Sequence, residues 1–138
     1  MAVIEELLRT EENGAISFGN YKLDAKAKVE DYEHSGDLYK VKTYKELTKL
    51  EKNGMFAYES QPGTSVTDFQ ETEDGVTFLV EADEDVQITI GLEEDTEYSV
   101  TVGDANIGTM KTNLSGKLSI SVELANSGEI AVKIKKNG

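Results

Sequence analysis

From residue 66 onward, apolar side chains fall on every second position. Val76, Phe78 and Val80 alternate with polar neighbours. So do Val86, Ile88 and Ile90; Tyr98, Val100 and Val102; Leu118, Ile120, Val122 and Leu124; and Ile130, Val132 and Ile134. A period of two is that of a strand with one buried and one wet face. Val66 and Phe69 mark a first short strand, and Ile107 and Met110 bracket a weaker one. Asp74-Gly75, Gly103-Asp104, Ser115-Gly116 and Ser127-Gly128 punctuate the run at about ten residues per strand. The pattern predicts an all-β chain folded as an antiparallel β-sandwich.

The first half is less regular. Val3, Ile4, Leu7 and Leu8 recur at helical spacing, with Glu5 and Glu6 ahead and Arg9 behind. This predicts a short amphipathic helix over residues 2–12, its charges suited to the helix dipole. Gly19-Asn20 reads as a tight hairpin between Ile16/Phe18 and Tyr21/Leu23. Residues 24–37 are polar apart from Val29 and Tyr32, and His34-Ser35-Gly36-Asp37 reads as a turn. Residues 38–43 alternate, whereas 44–50 fit a helical turn or a strand equally. Asn53-Gly54 is a strong hairpin signal. Gln61-Pro62-Gly63 has the chemistry of a type II turn and marks a boundary. The reading is therefore a β-rich N-terminal part over 1–60 and a β-sandwich part over 61–138. Some 60 residues without disulfides are marginal alone, so the two are expected to form one compact unit.

The chain has 138 residues, no Cys, no Trp, one His and a net charge of −13. Disulfides, thiolate chemistry and Cys-based metal sites are excluded. The charge opposes nucleic acid, whose phosphates call for Lys and Arg. No apolar run is long enough to cross a membrane as a helix, and no basic n-region precedes an h-region; the expected location is cytoplasmic. Charge is unevenly spread. Residues 53–110 hold fourteen carboxylates and no Lys or Arg, while 111–138 hold five Lys and two acids. The middle carboxylates must face water, pair with flanking Lys or bind a cation. Three acidic clusters fall in predicted loops: Glu71-Glu73-Asp74, Asp83-Glu84-Asp85 and Glu93-Glu94-Asp95. Alternation puts the first and third at one end of the sandwich. Oxygen ligands of this type suit calcium, which makes Glu71, Glu73, Asp74, Glu93, Glu94 and Asp95 the candidate ligands, although none matches the EF-hand spacing.

Nucleophilic catalysis would need His34, with Ser35 and Asp37 beside it in one turn, whereas triad members converge from separate elements. Carboxylate pairs could serve glycoside hydrolysis, but the stacking Trp common to such sites is missing. Tyr32, Tyr39, Tyr44 and Tyr58 are candidates for a sugar-binding face. Lys117, Lys133, Lys135 and Lys136, near the last strands, read as edge gatekeepers.

Residues 91–102, GLEEDTEYSVTV, resemble the approach to the penultimate strand of fibronectin type III and related immunoglobulin-like domains. Leu92, Thr96, Tyr98, Val100 and Val102 match by spacing. The likeness implies an immunoglobulin-like C-terminal part and a structural role for Tyr98, its hydroxyl bonding backbone upstream. Three predicted strands follow Tyr98, where a type III domain has one. The stretches ISFGNYKL, GDLYKVKTYKELTKLEKNGMFAYES, PGTSVTDF and GTMKTNLSGKLSISVEL resemble a family of short acidic proteins from Clostridia-type anaerobic bacteria, often labelled endosialidase. That label implies a glycan hydrolase. Gripping a sialic acid carboxylate calls for planar guanidinium groups, and Arg9 is the one arginine here. The residues thus point to a non-enzymatic binding or scaffolding module, self-associating or protein-binding. A carbohydrate-binding module or hydrolase, and a calcium-stabilised sandwich, are the alternatives.

Overall fold

The alternating segments become thirteen strands in a computed structural model that describes residues 3–137. They are β1 (Leu8–Thr10), β2 (Ile16–Phe18), β3 (Ala27–His34), β4 (Asp37–Tyr44), β5 (Leu47–Lys52), β6 (Met55–Gln61), β7 (Ser65–Thr72), β8 (Gly75–Glu81), β9 (Val86–Gly91), β10 (Glu97–Val102), β11 (Ala105–Lys111), β12 (Lys117–Val122) and β13 (Ile130–Lys136). One sheet has the order β1-β2-β7-β8-β13-β10-β11, the other β12-β9-β6-β5-β4-β3. Neighbours pair antiparallel throughout, as in β13 on β8, where Val132 faces Phe78. The all-β sandwich is therefore the fold. Each sheet takes strands from both halves of the chain, so the 1–60 and 61–138 parts share one core.

That core is where the period-two residues meet. Val76, Phe78 and Val80 of β8, Ile88 and Ile90 of β9, Val100 of β10, Leu118 and Ile120 of β12, and Val132 and Ile134 of β13 are all buried. Phe18, Tyr58, Phe69 and Phe78 cross at its centre, with Phe18 and Tyr58 edge-to-face at 5.2 Å. The last strand departs from immunoglobulin order. β13 lies inside its sheet between β8 and β10, where an immunoglobulin chain ends on an edge strand.

Several local expectations are corrected. Among the described residues no helix forms, and none is long and apolar enough to cross a membrane. Ala2, at the start of the predicted helix, lies outside the described residues. Leu7 takes a φ of 70° after a turn closed by its N–H on the Ile4 carbonyl, and Leu8 then pairs with Phe18 in β1. Ile4 and Leu8 are both buried, so the i, i+4 pair reflects a turn feeding a strand. Two helical turns could not offset the cost of nucleation. Gly19-Asn20 is not a hairpin. Gly19 instead bonds the turn residues Ile4 and Leu7, and the Asn20 N–H donates to Thr43 Oγ1 at 2.8 Å. The polar stretch 24–37 contains β3, an edge strand wet on one side, and Leu47–Leu50 belongs to a strand. Gln61-Pro62 is cis, and Gly63 lacks the positive φ of a type II turn. Glycine is needed there because a Cβ would meet the Tyr44 carbonyl oxygen at 2.0 Å. β13 is an interior strand, so Lys133, Lys135 and Lys136 guard no edge; of the four lysines only Lys117 sits on an edge strand.

The loop after Pro62 is held by buried hydroxyls. Thr64 Oγ1 lies 2.7 Å from the Tyr58 hydroxyl and 2.9 Å from Ser60 Oγ. Thr48 Oγ1 donates to the Thr64 carbonyl and accepts from the Thr64 N–H, which leaves Thr43 as the donor in the 2.8 Å Thr43–Thr48 contact. Each hydroxyl has a partner, as buried polar groups require.

Candidate functional site

The turns at one end of the sandwich frame a groove of about 510 Å³. Four segments build it. The β5–β6 hairpin brings Lys52, Met55, Phe56 and Ala57; the β7–β8 hairpin brings Glu71 and Glu73; the β9–β10 loop brings Leu92 and Glu93; the start of β12 brings Lys117. Asn53 and Gly54, with φ of 53° and 77°, form the mirror-image turn that such a hairpin favours. A bulge opposite Leu50 and Glu51 then interrupts β6. Ala57 and Tyr58 are therefore both buried, while Phe56 stays half-exposed and Met55 is 72% exposed.

Charged groups at this end are largely paired. Lys52 Nζ lies 3.4 Å from Glu71 Oε1 and 3.6 Å from Asp37 Oδ2. Burial pulls the Lys52 ammonium down, but Glu71, Tyr39 and Asp37 together hold it above its ordinary value. Lys136 Nζ is 2.9 Å from Glu93 Oε1, a hydrogen bond that raises the Lys136 pKa. Lys111 meets Asp95 at 3.1 Å. Lys117 Nζ sits 4.5 Å from the centre of the Phe56 ring, a cation–π distance.

The candidate calcium ligands share this end but not a site. Glu71, Glu93 and Asp95 are engaged by lysines, and among the described residues no three carboxylate or imidazole groups converge to hold an ion. The Glu94 carbonyl accepts from Thr96 Oγ1 at 2.9 Å, which shapes the loop. Glu73 and Asp74 form the β7–β8 turn. In the remaining cluster, Asp85 Oδ1 accepts from the Leu124 and Ala125 N–H groups, each at 3.0 Å, and so anchors the chain as it leaves β12.

The four tyrosines line no common face. Tyr58 is fully buried and Tyr39 nearly so; burial pushes the Tyr58 phenol far up. Tyr32 packs partly against the core with its hydroxyl 3.0 Å from Thr10 Oγ1. Tyr44 is half-buried beneath Lys26, whose Nζ is 5.6 Å from the ring centre. Tyr98 is buried in β10, and its hydroxyl accepts a hydrogen bond from the Glu93 N–H upstream at 3.2 Å. His34 Nδ1 lies 3.2 Å from Thr10 Oγ1, and its ring meets Tyr39 edge-on. Asp37, considered with Ser35 as a triad partner of His34, is bonded by Asn53 Nδ2 at 2.9 Å, which holds its carboxyl below the usual range.

Sequence reasoning singled out the acids of the groove but not its apolar members. The available signal was Met55-Phe56 directly after Asn53-Gly54, two large apolar side chains beside a hairpin turn that normally faces water. No protein-family model, curated protein or solved structure matches the chain.

Proposed function

We propose that this chain is a non-enzymatic binding module that docks an extended, basic protein segment with an apolar anchor in the end groove. The observation that carries this reading is Met55, 72% exposed beside Phe56 at a groove between four segments. Unbranched, polarizable Met side chains suit adaptable docking surfaces. The sign of the partner follows from the charge around the groove: its own lining is nearly balanced, with Glu71, Glu73 and Glu93 against Lys52 and Lys117, but the surrounding segment 53–110 carries fourteen acids and no Lys or Arg. Such a field steers and orients cationic segments. The groove's polar groups already serve structural pairs, Lys52 with Glu71 and Lys136 with Glu93, which favours binding over proton transfer. With Tyr39 and Tyr58 in the core, the sugar-face alternative loses its aromatic platform.

The test is to pan a random peptide library on the immobilised protein, with Met55→Glu as the counter-target. Enriched peptides should carry Lys or Arg flanking an apolar residue, and should lose roughly tenfold or more in affinity for Met55→Glu. Enrichment of acidic peptides, or binding indifferent to Met55, would overturn the reading.

A further inference from the structure

Sandwich edges carry rows of unpaired backbone groups, and folded chains normally block them. Three of the four edges here are blocked. β1 is three residues long and abuts β3, with Thr10 bonded across to Tyr32 and His34. β3 is broken by a bulge at Asp31 (φ 55°). β11 is broken by a bulge near Gly108 (φ 107°). β12 has none of these devices. It pairs with β9 in unbroken register from Lys117 to Val122.

The direction of its hydrogen bonds follows from one contact. The Leu92 N–H donates to the Gly116 carbonyl at 2.7 Å. Bonded and non-bonded pairs alternate along an antiparallel ladder, so Leu118, Ile120 and Val122 bond to β9. Ser119 and Ser121 aim their N–H and C=O groups outward. At Lys117 the edge is closed by Asn113, whose Oδ1 accepts from the Lys117 N–H and whose N–H donates to the Lys117 carbonyl. The open stretch is therefore Leu118–Val122.

We propose that β12 pairs antiparallel with β12 of a second copy of this chain, about a two-fold axis at Ile120. The Asn113 block centres the register there, and the sequence is self-complementary in it. Ser119 faces Ser121 of the second copy, with about four new backbone hydrogen bonds. Leu118 faces Val122, which continues the buried face. Lys117 and Glu123 flank opposite ends on the solvent face, so each Lys meets a Glu. Shifting the axis by one residue either way loses that match. Local charge permits the approach despite a net charge of −13. The outward residues of β9 and β12 are Gln87, Thr89, Lys117, Ser119 and Ser121, with no carboxylate. Leu114, 80% exposed in the loop beside the blocked end, is an apolar group for the second copy to cover.

The test is mass by sedimentation and light scattering from micromolar to near-millimolar protein, with melting curves to confirm folding. The wild-type chain should show a concentration-dependent dimer. Glu123→Lys sets Lys against Lys and should weaken it by about tenfold. Adding Lys117→Glu to that variant restores opposite charges and should recover the dimer. Ser121→Pro removes an outward N–H and no backbone bond to β9, only the exposed 3.4 Å side-chain contact from Ser121 Oγ to Gln87, and should abolish the dimer. Met55→Glu should leave the mass unchanged, so the groove reading and this one fail separately. A monomer across the whole series, or a dimer indifferent to either the charge change or the proline, would overturn the pairing.

Discussion

Tyr98 carries one polar atom into an otherwise apolar strand, and that atom decides how the next loop lies. Its hydroxyl accepts from the Glu93 N–H at 3.2 Å, while Thr112 Oγ1 donates to the Glu93 carbonyl at 2.6 Å. The β9–β10 loop is thus held from both sides. Tyr98→Phe keeps the packed ring and removes the acceptor, leaving the Glu93 N–H without this partner. The expected loss is about 0.5–1.5 kcal/mol by denaturant melts, with the groove side of the loop loosened. Unchanged stability would mean that the bond contributes nothing. At this scale the site was half legible. The Tyr98 role followed from the resemblance of residues 91–102 to immunoglobulin-like domains, and the acids of the groove stood out as a charge excess. Their partners did not: Glu71 meets Lys52, nineteen positions earlier in the chain, and Glu93 meets Lys136, forty-three positions later. Such pairs are set by which strands become neighbours, and periodicity says nothing about that.

The β5–β6 hairpin shows what an element needs beyond alternation. Asn53 holds a φ of 53°, its Oδ1 accepts from the Leu38 N–H and its Nδ2 donates to Asp37, each at 2.9 Å. One turn residue therefore ties its hairpin to the start of β4. Asn53→Ala loses both bonds and the residue type that tolerates this φ. A cost of about 1–3 kcal/mol is expected, and amide exchange should quicken in β4 and β6 before β8 and β13. Equal effects everywhere would deny the turn its local role. Strands β8, β9, β10, β12 and β13 were readable because each is buried on one face only, so burial writes itself as a period of two; β11, with no buried residue, and the bulged β7 gave weaker signals. β1 was not, because Ile4 and Leu8 are buried through a turn and a strand that happen to share helical spacing. β3 was not, because its outer edge is solvated and few apolar residues mark it. Asn53-Gly54 signalled its turn correctly. Gly19-Asn20 did not, because those backbone groups serve Ile4, Leu7 and Thr43 rather than each other.

Across the whole molecule, charge opposes the fold that the core supports. A net −13 on a small sandwich destabilises the compact state by self-repulsion. The ion pairs that offset it lie mostly at the surface, where each contributes little. Added sodium chloride at pH 7 should therefore raise the melting temperature, because screening beyond a Debye length of about 8–10 Å weakens diffuse repulsion more than close pairs. Acid acts in two directions. Lowering the pH from 7 towards 5 reduces the net charge and should also raise the melting point. Below that, specific carboxylates fail. The Glu11 carboxylate accepts from the buried Ser17 hydroxyl and from Arg9 Nε at 2.9 Å, and the Ser17 bond is the main reason its pKa lies below the usual 4.5. A folded-state pKa that is depressed contributes stability above the unfolded value, and that stability is lost as the pH falls through the folded one. The contribution of Glu11 is thus intact above about pH 4.5 and vanishes at lower pH. Calorimetry of wild type and Glu11→Gln from pH 7 to 2.5 separates the two effects. The variant should be less stable by about 1 kcal/mol at pH 7 and converge on wild type in acid, while both keep the rise towards pH 5. A melting point that falls with salt at pH 7 would show the opposite balance, with the carboxylates stabilising through their lysine partners more than they repel one another.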